Sequence, residues 1–524
     1  MTKPDWRHYR ERQRARGRGR KRAAPKTARE AVEEFLREEL GGRGFRPALE
    51  VEAGEAATVA EARSGPRRDL TDLPTFTVDP ATARDFDDAV SARREGEGIR
   101  LWIHIADVAA HVPPGSPLDR EARRRGNSTY VPGAVEPMLP HALSEGACSL
   151  SPGVERLAVT AEVELGADGH PRAASFYRSR IRSEARLDYD ELDVVFSGRA
   201  EAPQAVAESI AVAREAAAAL GERRGATSLD VESFEPEFRF DSRGHVVGAR
   251  GVPQTESHRL IERLMILANE RVAQLLERKR VPAIYRVHPP PDPLRIEQLI
   301  AQLHELEIPT PPLRGTPAPG EAAELAAEAS RLVAREAARR GHGRAAYTTL
   351  VLRSMKQAQY TERNSGHAGL GSAAYCHFTS PIRRYPDLIA HRALLSAIGA
   401  GEAEPERGEV REAATWCSDR ERASISIERD ADRLCAAFLL GRELFETGWG
   451  RSFEGEVSGV IGAGAFVRFA GELADAYEGF LPARRIRGER FDLDETETAL
   501  VGAKSGRRVR LGDPIEVRVD GVEA

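Results

Sequence analysis

Cysteine is scarce in this chain, and the few cysteines are not grouped. Four occur among 524 residues, and no two form a CxxC pair or stand with histidines at the spacing of metal ligands. A disulfide framework or a structural zinc site would need such groups. The sequence therefore indicates neither, and we expect reduced thiols packed in the interior at Cys148, Cys376, Cys417 and Cys435.

Long apolar runs are also missing. No uninterrupted stretch approaches the roughly 20 apolar residues of a membrane helix, and the start, MTKPDWRHYRERQ, lacks the apolar segment of a secretory signal. We therefore expect a soluble, cytoplasmic protein with no membrane partner. The chain is too long for one compact core, so we expect about two to four domains.

The net charge of −5 conceals a strongly basic amino-terminal segment. Residues 1 to 28 contain eleven lysines and arginines but only two acidic residues. Glycines interrupt this segment and it has no apolar periodicity, so we expect a disordered tail that holds a nucleic-acid backbone through its phosphates. A solvated tail without a specific role is an equally good interpretation of the composition.

Residues 29 to 68 are predicted to form a short helical module and a connector. The apolar residues recur at helical spacing and two glycines follow them, as at the end of an amphipathic helix. These apolar positions are Ala31, Val32, Phe35, Leu36 and Leu40. From residue 42 onward apolar and charged residues mix without strong periodicity, which predicts a partly structured connector.

Two larger regions follow. Residues 69 to 449 begin with strand-like segments such as IRLWIHIADVAA and continue with helix-like segments such as HRLIERLMILANERVAQLLERK, which predicts a large α+β domain. Residues 450 to 524 contain short alternating strands bounded by glycine, the pattern of a small β-barrel. The chain stops at IEVRVDGVEA, where we expect one more strand, so the barrel is predicted to close incompletely.

Four aspartates crowd into one short segment, TFTVDPATARDFDDAVSA. Carboxylates this close repel one another, and a folded protein keeps them together when a cation lies between them. Because no His or Cys accompanies them, the hard oxygen ligands favour Mg²⁺ or Mn²⁺ over zinc. They suit a paired-metal site, with ions about 4 Å apart, that cleaves phosphodiesters. The four are Asp79, Asp85, Asp87 and Asp88.

An acidic surface loop or a calcium site would have the same spacing, so the cluster alone does not decide. The segment CHFTSPIRRYPDLIAHR places Arg383 and Arg384 after a Ser-Pro turn and before a helix-like stretch. Such a pair can hold a phosphate in two-point contact and neutralise charge in a transition state. Taken alone, adjacent arginines are more often surface charge.

Taken in order, several segments resemble the catalytic domain of the RNB family of exoribonucleases, which includes ribonuclease II and ribonuclease R. The resemblance covers roughly residues 69 to 449 and is carried by TFTVDPATARDFDDAVSA, LWIHIADVAAHVPPGSPLDREARRRGNSTYVPG, RSRIRSEARLDYDEL, HRLIERLMILANERVA and CHFTSPIRRYPDLIAHR. The C-terminal GEVSGVIGAGAFVRF and EGFLPARRI are similar to the OB-fold RNA-binding repeat of the largest ribosomal small-subunit protein. The implied fold is α+β: an RNB catalytic domain, a C-terminal OB-fold barrel and a short basic and helical extension.

The resemblance implies a 3′-to-5′ exoribonuclease that hydrolyses single-stranded RNA with two metal ions and releases nucleoside 5′-monophosphates. Mg²⁺ is the implied cofactor, with Mn²⁺ able to replace it, and we expect a monomer without a small-molecule cofactor. A regulator that keeps the fold but binds RNA without catalysis is the rival interpretation. An endonuclease or a DNA exonuclease that uses the same metals is a third.

Site residues follow from the same resemblance. The four aspartates are the implied metal ligands, and Arg383 is the implied contact of the scissile phosphate. Tyr130, in STYVPG, matches an aromatic that stacks on RNA bases, and Tyr189, in RLDYDEL, matches one that clamps the terminal nucleotides. The other implied RNA-binding positions are Glu262 in RLIERL, where relatives often carry two glutamates, Arg384 in SPIRRY, and Glu428 in SIERDAD.

The chain departs from this family in its N-terminal part. Ribonuclease II and ribonuclease R usually carry two cold-shock OB-folds before the catalytic domain, each about 70 residues long, and only about 70 residues stand there in total in this sequence. The usual RNA entrance is therefore expected to be missing or rebuilt by the basic tail and the helix after it. The grip on long RNA is the property most affected.

Overall fold

The computed structural model describes residues 27–63, 65–166, 168–225, 228–229, 235–474, 476–486 and 488–523. Apart from residues 27 and 28, the predicted basic tail lies outside these ranges. The helices are α1 (Ala28–Leu40), α2 (Pro47–Arg63), α3 (Val108–His111), α4 (Pro117–Arg125), α5 (Tyr189–Phe196), α6 (Ala207–Arg224), α7 (Glu256–Lys279), α8 (Pro293–Glu305), α9 (Pro319–Arg340), α10 (Arg344–Ser354), α11 (Tyr385–Ala397) and α12 (Arg407–Thr447).

Strands occur in two parts of the chain, and helices lie between the strands of the first part, in agreement with the α+β prediction. The strands of the first part are β1 (Arg68–Asp69), β2 (Thr75–Asp79), β3 (Asp88–Glu95), β4 (Gly98–Ala106), β5 (Thr129–Val131), β6 (Ala134–Glu136), β7 (Glu155–Leu165), β8 (Pro171–Asp188), β9 (Glu235–Phe240), β10 (Val246–Val252), β11 (Tyr285–Val287) and β12 (Gln359–Thr361). Those of the second part are β13 (Ser452–Ile461), β14 (Gly464–Phe469), β15 (Tyr477–Pro482), β16 (Phe491–Leu493), β17 (Ala499–Gly502), β18 (Arg508–Arg510) and β19 (Pro514–Arg518).

A closed β-sheet forms the centre of the large α+β region. Its strands follow the order β1-β8-β2-β3-β4-β7, and β7 pairs with β8 as well. The ring closes because β8 is long enough to pair with β7 through its first part and with β2 through its last part. Helices α6, α7 and α11 contribute to the same hydrophobic core as these strands, so the sheet is covered rather than exposed.

A row of buried polar side chains crosses this sheet. Thr75, Ser91, His104, Thr160 and Ser179 are hydrogen-bonded one to the next, with separations between 2.6 and 3.2 Å. Burial lowers the pKa of His104 to about 3, so this imidazole is neutral at physiological pH. The row satisfies polar groups that would otherwise destabilise the interior.

The N-terminal helices pack on the large α+β region. Helix α1 begins at a reciprocal cap between Thr27 and Glu30, which was not predicted, and ends at Gly41 in the left-handed conformation, where the two glycines indicated its end. It shares a hydrophobic core with α12. Helix α2 was not predicted, because its buried face consists of alanines, which give a weak hydrophobic pattern. These alanines are Ala53, Ala56 and Ala60.

The C-terminal strands form a four-stranded sheet, in the order β15-β14-β13-β19, and a three-stranded sheet, β16-β17-β18. The last strand, β19, returns to pair with the first, β13. The further strand that the sequence led us to expect does not occur among residues 519 to 523. The hydrophobic core of this barrel is continuous with helices α8, α9 and α10.

Two expectations about the whole chain can be compared with the structure. All four cysteines are buried and free, as predicted. Within the described ranges, no helix has both the length and the apolar character that crossing a membrane requires.

Candidate active site

Strand pairing brings the first and last aspartates of the cluster together. Strands β2 and β3 are antiparallel, with Phe76 paired to Val90, so the end of β2 at Asp79 lies near the start of β3, and the charge of Asp88 raises the pKa of Asp79. Asp79 also pairs in register with Asp188, the residue before helix α5. One edge of the closed sheet therefore holds the candidate site.

The other two aspartates lie in the connection between β2 and β3. Asp87 is buried, and its Oδ1 accepts the backbone N–H of Ile382 at 2.8 Å. Asp85 is half-buried, and its Oδ2 accepts the hydroxyl of Tyr130 at 2.8 Å. This connection is irregular, and the carboxylates of Asp85 and Asp87 meet different partners.

Burial and mutual repulsion make these carboxylates hard to ionise. The pKa of Asp79 is raised to about 8, first by burial and then by the charge of Asp88. Burial raises the pKa of Asp88 to about 7, although Arg383 opposes the shift. Burial also raises the pKa of Asp87, against the favourable effects of Arg383 and the Ile382 N–H. A nearby cation would stabilise the charged forms of all three.

Two oxygens of this cluster lack a hydrogen-bond partner although they are buried. They are Oδ2 of Asp79 and Oδ2 of Asp87. Such groups destabilise a fold unless something satisfies them, and a set of carboxylate oxygens without His or Cys is the donor set of a hard divalent cation. The residues therefore fit Mg²⁺ or Mn²⁺. The carboxylates lie near one another but do not yet form a complete set of ligands: in the described part of the chain, no three acidic, His or Cys side chains are arranged so that they could hold a metal ion.

The loop before helix α11 brings an arginine to the cluster. The Nε of Arg383 is 3.6 Å from Oδ2 of Asp87, and the Arg383 side chain remains 42% exposed. Its Nη2 donates to the hydroxyl of Ser380 at 3.1 Å. Arg384 is turned inward instead, and its Nη2 donates to Asp387 at 2.8 Å. The structure thus places Arg383 in contact with Asp87, whereas Arg384 acts on the cluster only through its charge, which opposes the raised pKa of Asp88. An RNA contact for Arg384 stays a prediction.

Both predicted tyrosines border the aspartates. Tyr130, on β5, donates its hydroxyl to Asp85 and has 39% of its surface exposed. Tyr189 begins helix α5, directly after Asp188, and its ring stacks on His258 with centroids 3.9 Å apart. Burial, and then the charges of Asp88 and Asp79, raise the pKa of the Tyr189 phenol, so this ring lies in the field of the carboxylates.

The two predicted glutamates have different positions. Glu428, on α12, accepts the backbone N–H of Tyr130 at 2.9 Å and so holds the strand that presents this tyrosine. Glu262, on α7, accepts from Gln254 at 2.8 Å. Its charged neighbours are arginines of α6 and α7 rather than the aspartates, and burial raises its pKa. The structure therefore connects Glu428, but not Glu262, to the cluster.

Sequence reasoning missed three residues around the site. His258 covers one face of Tyr189, Asp387 holds Arg384 and the backbone N–H of Ser380, and Asn269 binds the segment before Arg383. Each lies in one of the segments that carry the resemblance to the RNB family. A buried polar residue in a helix gives no pattern of its own, so only the fold reveals what these three contact.

Comparison with known proteins identifies the family. The RNB domain model matches residues 67–400. Ribonuclease R of Escherichia coli K12 is 36% identical over 490 residues, which is 90% of this chain and 58% of that protein. Ribonuclease R of Mycoplasma genitalium, solved with ribose-methylated single-stranded RNA, superposes with a TM-score of 0.86 at 27% identity over 95% of this chain and 77% of that one. Yeast Ssd1, a pseudonuclease, shares the fold at 18% identity, covering 90% of this chain and 57% of that one with a TM-score of 0.67.

The fold and the clustered carboxylates place this chain in the structural class of the RNB nucleases. The chain belongs to the RNB domain family. It spans somewhat more than half the length of the Escherichia coli ribonuclease R that it matches. The matched region ends at residue 400, so α12, which carries Glu428, lies beyond it.

Proposed function

We propose that this chain is a magnesium-dependent 3′-to-5′ exoribonuclease that hydrolyses single-stranded RNA and releases nucleoside 5′-monophosphates. One observation carries the proposal: Asp79 and Asp87 keep buried carboxylate oxygens without hydrogen-bond partners, and that of Asp87 lies 3.6 Å from Nε of the half-exposed Arg383. Anionic oxygens that need a cation, beside a cation that can bind an anion, suit a site for a phosphodiester and its metal ions.

Each side chain of the site has a chemical task in this proposal. Asp79, Asp85, Asp87 and Asp88 hold the metal. When bound, Mg²⁺ supplies the activation of a water molecule and stabilises the leaving oxygen. Arg383 binds the scissile phosphate through its exposed N–H groups and offsets the charge that builds up there in the transition state.

The proposed substrate is a single strand, because aromatic rings at the site suit the stacking of unpaired bases, and it is RNA, because a relative of known structure binds single-stranded RNA. Tyr130 and Tyr189 border the aspartates, and every base has a face that can stack on such rings, so a nuclease of this kind tolerates any sequence. The complex of the Mycoplasma genitalium relative with single-stranded RNA supports the same substrate class.

The test is to identify the products. Purified protein with Mg²⁺ is incubated with single-stranded RNA labelled at its 5′ end, and chromatography identifies the released nucleotides. We expect progressive shortening from the 3′ end and nucleoside 5′-monophosphates. EDTA should stop the reaction, and Mg²⁺ or Mn²⁺, but not Zn²⁺, should restore it. An Asp87→Asn preparation, purified in the same way, controls for a contaminating nuclease.

Three results would contradict the proposal. Internal cleavage would indicate an endonuclease. Equal turnover of the matching DNA strand would indicate a nuclease that does not distinguish the sugar. Binding of RNA without any hydrolysis would favour a regulator. Yeast Ssd1, a pseudonuclease, has the same fold, so the fold alone does not guarantee activity.

A further inference from the structure

The loop that carries Arg383 has no regular secondary structure of its own. Between Tyr375 and Tyr385 the backbone is neither helix nor strand, and it must hold a guanidinium beside Asp87. A catalytic side chain on such a segment needs support from neighbouring elements, because a displacement of about 1 Å can lower turnover about a hundredfold. Side chains of helices α7 and α11 support this loop.

Asn269 on helix α7 provides the most complete support. Its side chain is buried, and its Oδ1 accepts the backbone N–H of Phe378 at 2.8 Å. Its Nδ2 donates to the hydroxyl of Tyr375 at 3.1 Å and faces the hydroxyl of Thr379 at 3.5 Å. The amide orientation follows from these partners, since a backbone N–H can only donate. One side chain thus grips three residues of the loop.

Further hydrogen bonds hold the segment between Phe378 and Arg383. His391 donates from Nε2 to the carbonyl of Phe378 at 2.8 Å, so both backbone polar groups of Phe378 are held. The N–H of Ser380 then binds Asp387, and the N–H of Ile382 binds Asp87, each at 2.8 Å. The Ser380 hydroxyl finally accepts from Arg383. The segment that ends at Arg383 is therefore held at Phe378, at Ser380 and at Ile382, and Phe378 is the point that Asn269 holds.

We propose that Asn269 is a positioning residue, which fixes the loop 375–384 so that Arg383 stands beside Asp87 and meets the scissile phosphate. This inference rests on the proposed function. The simpler alternative is that Asn269 only stabilises the fold, as a buried hydrogen-bonded amide does anywhere. The two differ in one respect: a positioning residue acts through Arg383, so its effect on turnover disappears when Arg383 is absent.

A double-mutant cycle separates these alternatives. Asn269→Leu keeps the size of the side chain and removes its hydrogen bonds, and Arg383→Ala removes the guanidinium. With a short RNA oligonucleotide at saturation, we expect Asn269→Leu to lower kcat about 10- to 100-fold with KM within about threefold. On the Arg383→Ala background, the same substitution should lower kcat less than about twofold.

Two further variants complete the design. Leu276→Ala opens a cavity at a buried position of the same helix, about two turns beyond Asn269, and removes no hydrogen bond to the loop. It should lower the melting temperature yet leave kcat within about twofold at a temperature well below melting. Asn269→Asp has the same shape and keeps the acceptor for the Phe378 N–H. It should lose less turnover than Asn269→Leu, and it serves in the cycle if the leucine variant does not fold.

The inference is overturned if the two losses multiply in the double variant, or if Asn269→Leu keeps kcat within about threefold. In either case the wild-type chain still hydrolyses RNA, so the proposed function stands. A wild-type chain that does not hydrolyse RNA would reject the proposed function instead, and the role of Asn269 with it.

Discussion

Replacing Asp79 with a neutral side chain should stabilise the metal-free protein, although it removes a proposed metal ligand. At pH 7 the folded chain holds this carboxyl protonated, since its pKa is about 8, whereas an unfolded chain ionises it near 3.8. The raised pKa lowers the stability at pH 7 relative to pH 4, because folding must take up a proton that the unfolded chain has released. About 3 pH units at about 1.4 kcal/mol each give an upper limit of about 4 kcal/mol.

Asp79→Asn imitates the neutral carboxyl and should recover part of that free energy. We expect the melting temperature in EDTA to rise by about 2 to 8 °C, at roughly 2 °C for each kcal/mol in a large domain. Excess Mg²⁺ should raise the melting temperature of the wild type, because a ligand at about 100 times its Kd stabilises by about 2.7 kcal/mol. The variant should gain less than about half as much.

Thermal melts followed by circular dichroism, with and without Mg²⁺, measure both effects. Asp492→Asn is the control: this aspartate is exposed on β16 in the C-terminal barrel, and its replacement should change neither the melting temperature in EDTA nor the response to Mg²⁺. The reasoning is refuted if Asp79→Asn lowers the melting temperature in EDTA, or if Mg²⁺ stabilises it as much as the wild type.

Three more predictions follow from other parts of the chain. Asp87→Asn should abolish hydrolysis but leave the RNA dissociation constant within a few-fold, because stacking and backbone contacts dominate binding; near-normal turnover would reject the metal assignment. Lowering the pH from 7 to 5 should reduce the free energy of unfolding by about 2 kcal/mol through His104. The folded chain keeps this imidazole neutral because its pKa is about 3, whereas the unfolded chain takes up a proton below about 6.5. In denaturant titrations, His104→Gln should lack this loss of about 2 kcal/mol. Deleting residues 1 to 26 should weaken the binding of long single strands. If three phosphate contacts are lost, the slope of the logarithm of the binding constant against the logarithm of the salt concentration should fall by about two units. Unchanged affinity and slope would show that the tail is not involved.

Several features could be read from the amino-acid sequence because they depend on local order. Helix α1 has its cap, its apolar stripe and its terminal glycine within 15 residues, Thr27 to Gly41. The aspartate segment was recognisable for the same reason, since four carboxylates within ten residues require an explanation wherever they fold. The α+β class also followed from local patterning. Helix α2 was missed because alanines bury little apolar area, so its amphipathic pattern is weak.

The contacts between distant segments could not be read in this way. Tyr130 and Asp85 are 45 residues apart, and Ile382 donates to an aspartate 295 positions earlier. Arg383 and Arg384 are neighbours with identical side chains, yet Arg383 contacts Asp87 of the cluster and Arg384 donates to Asp387. Nothing in the two letters distinguishes them, because the direction of each side chain depends on the anchoring of the loop.

The sequence by itself therefore determined which chemical groups the site has, and the tertiary structure decided how they are used. Composition and local spacing specify that carboxylates, arginines and tyrosines are present, since these are properties of single segments. Burial, the resulting pKa shifts and the grip of Asn269 on the loop arise only when helix α7, the closed sheet and the segment 375–384 pack together. Desolvation and hydrogen-bond geometry depend on what surrounds a group in space, and the order of residues along the chain does not contain that information.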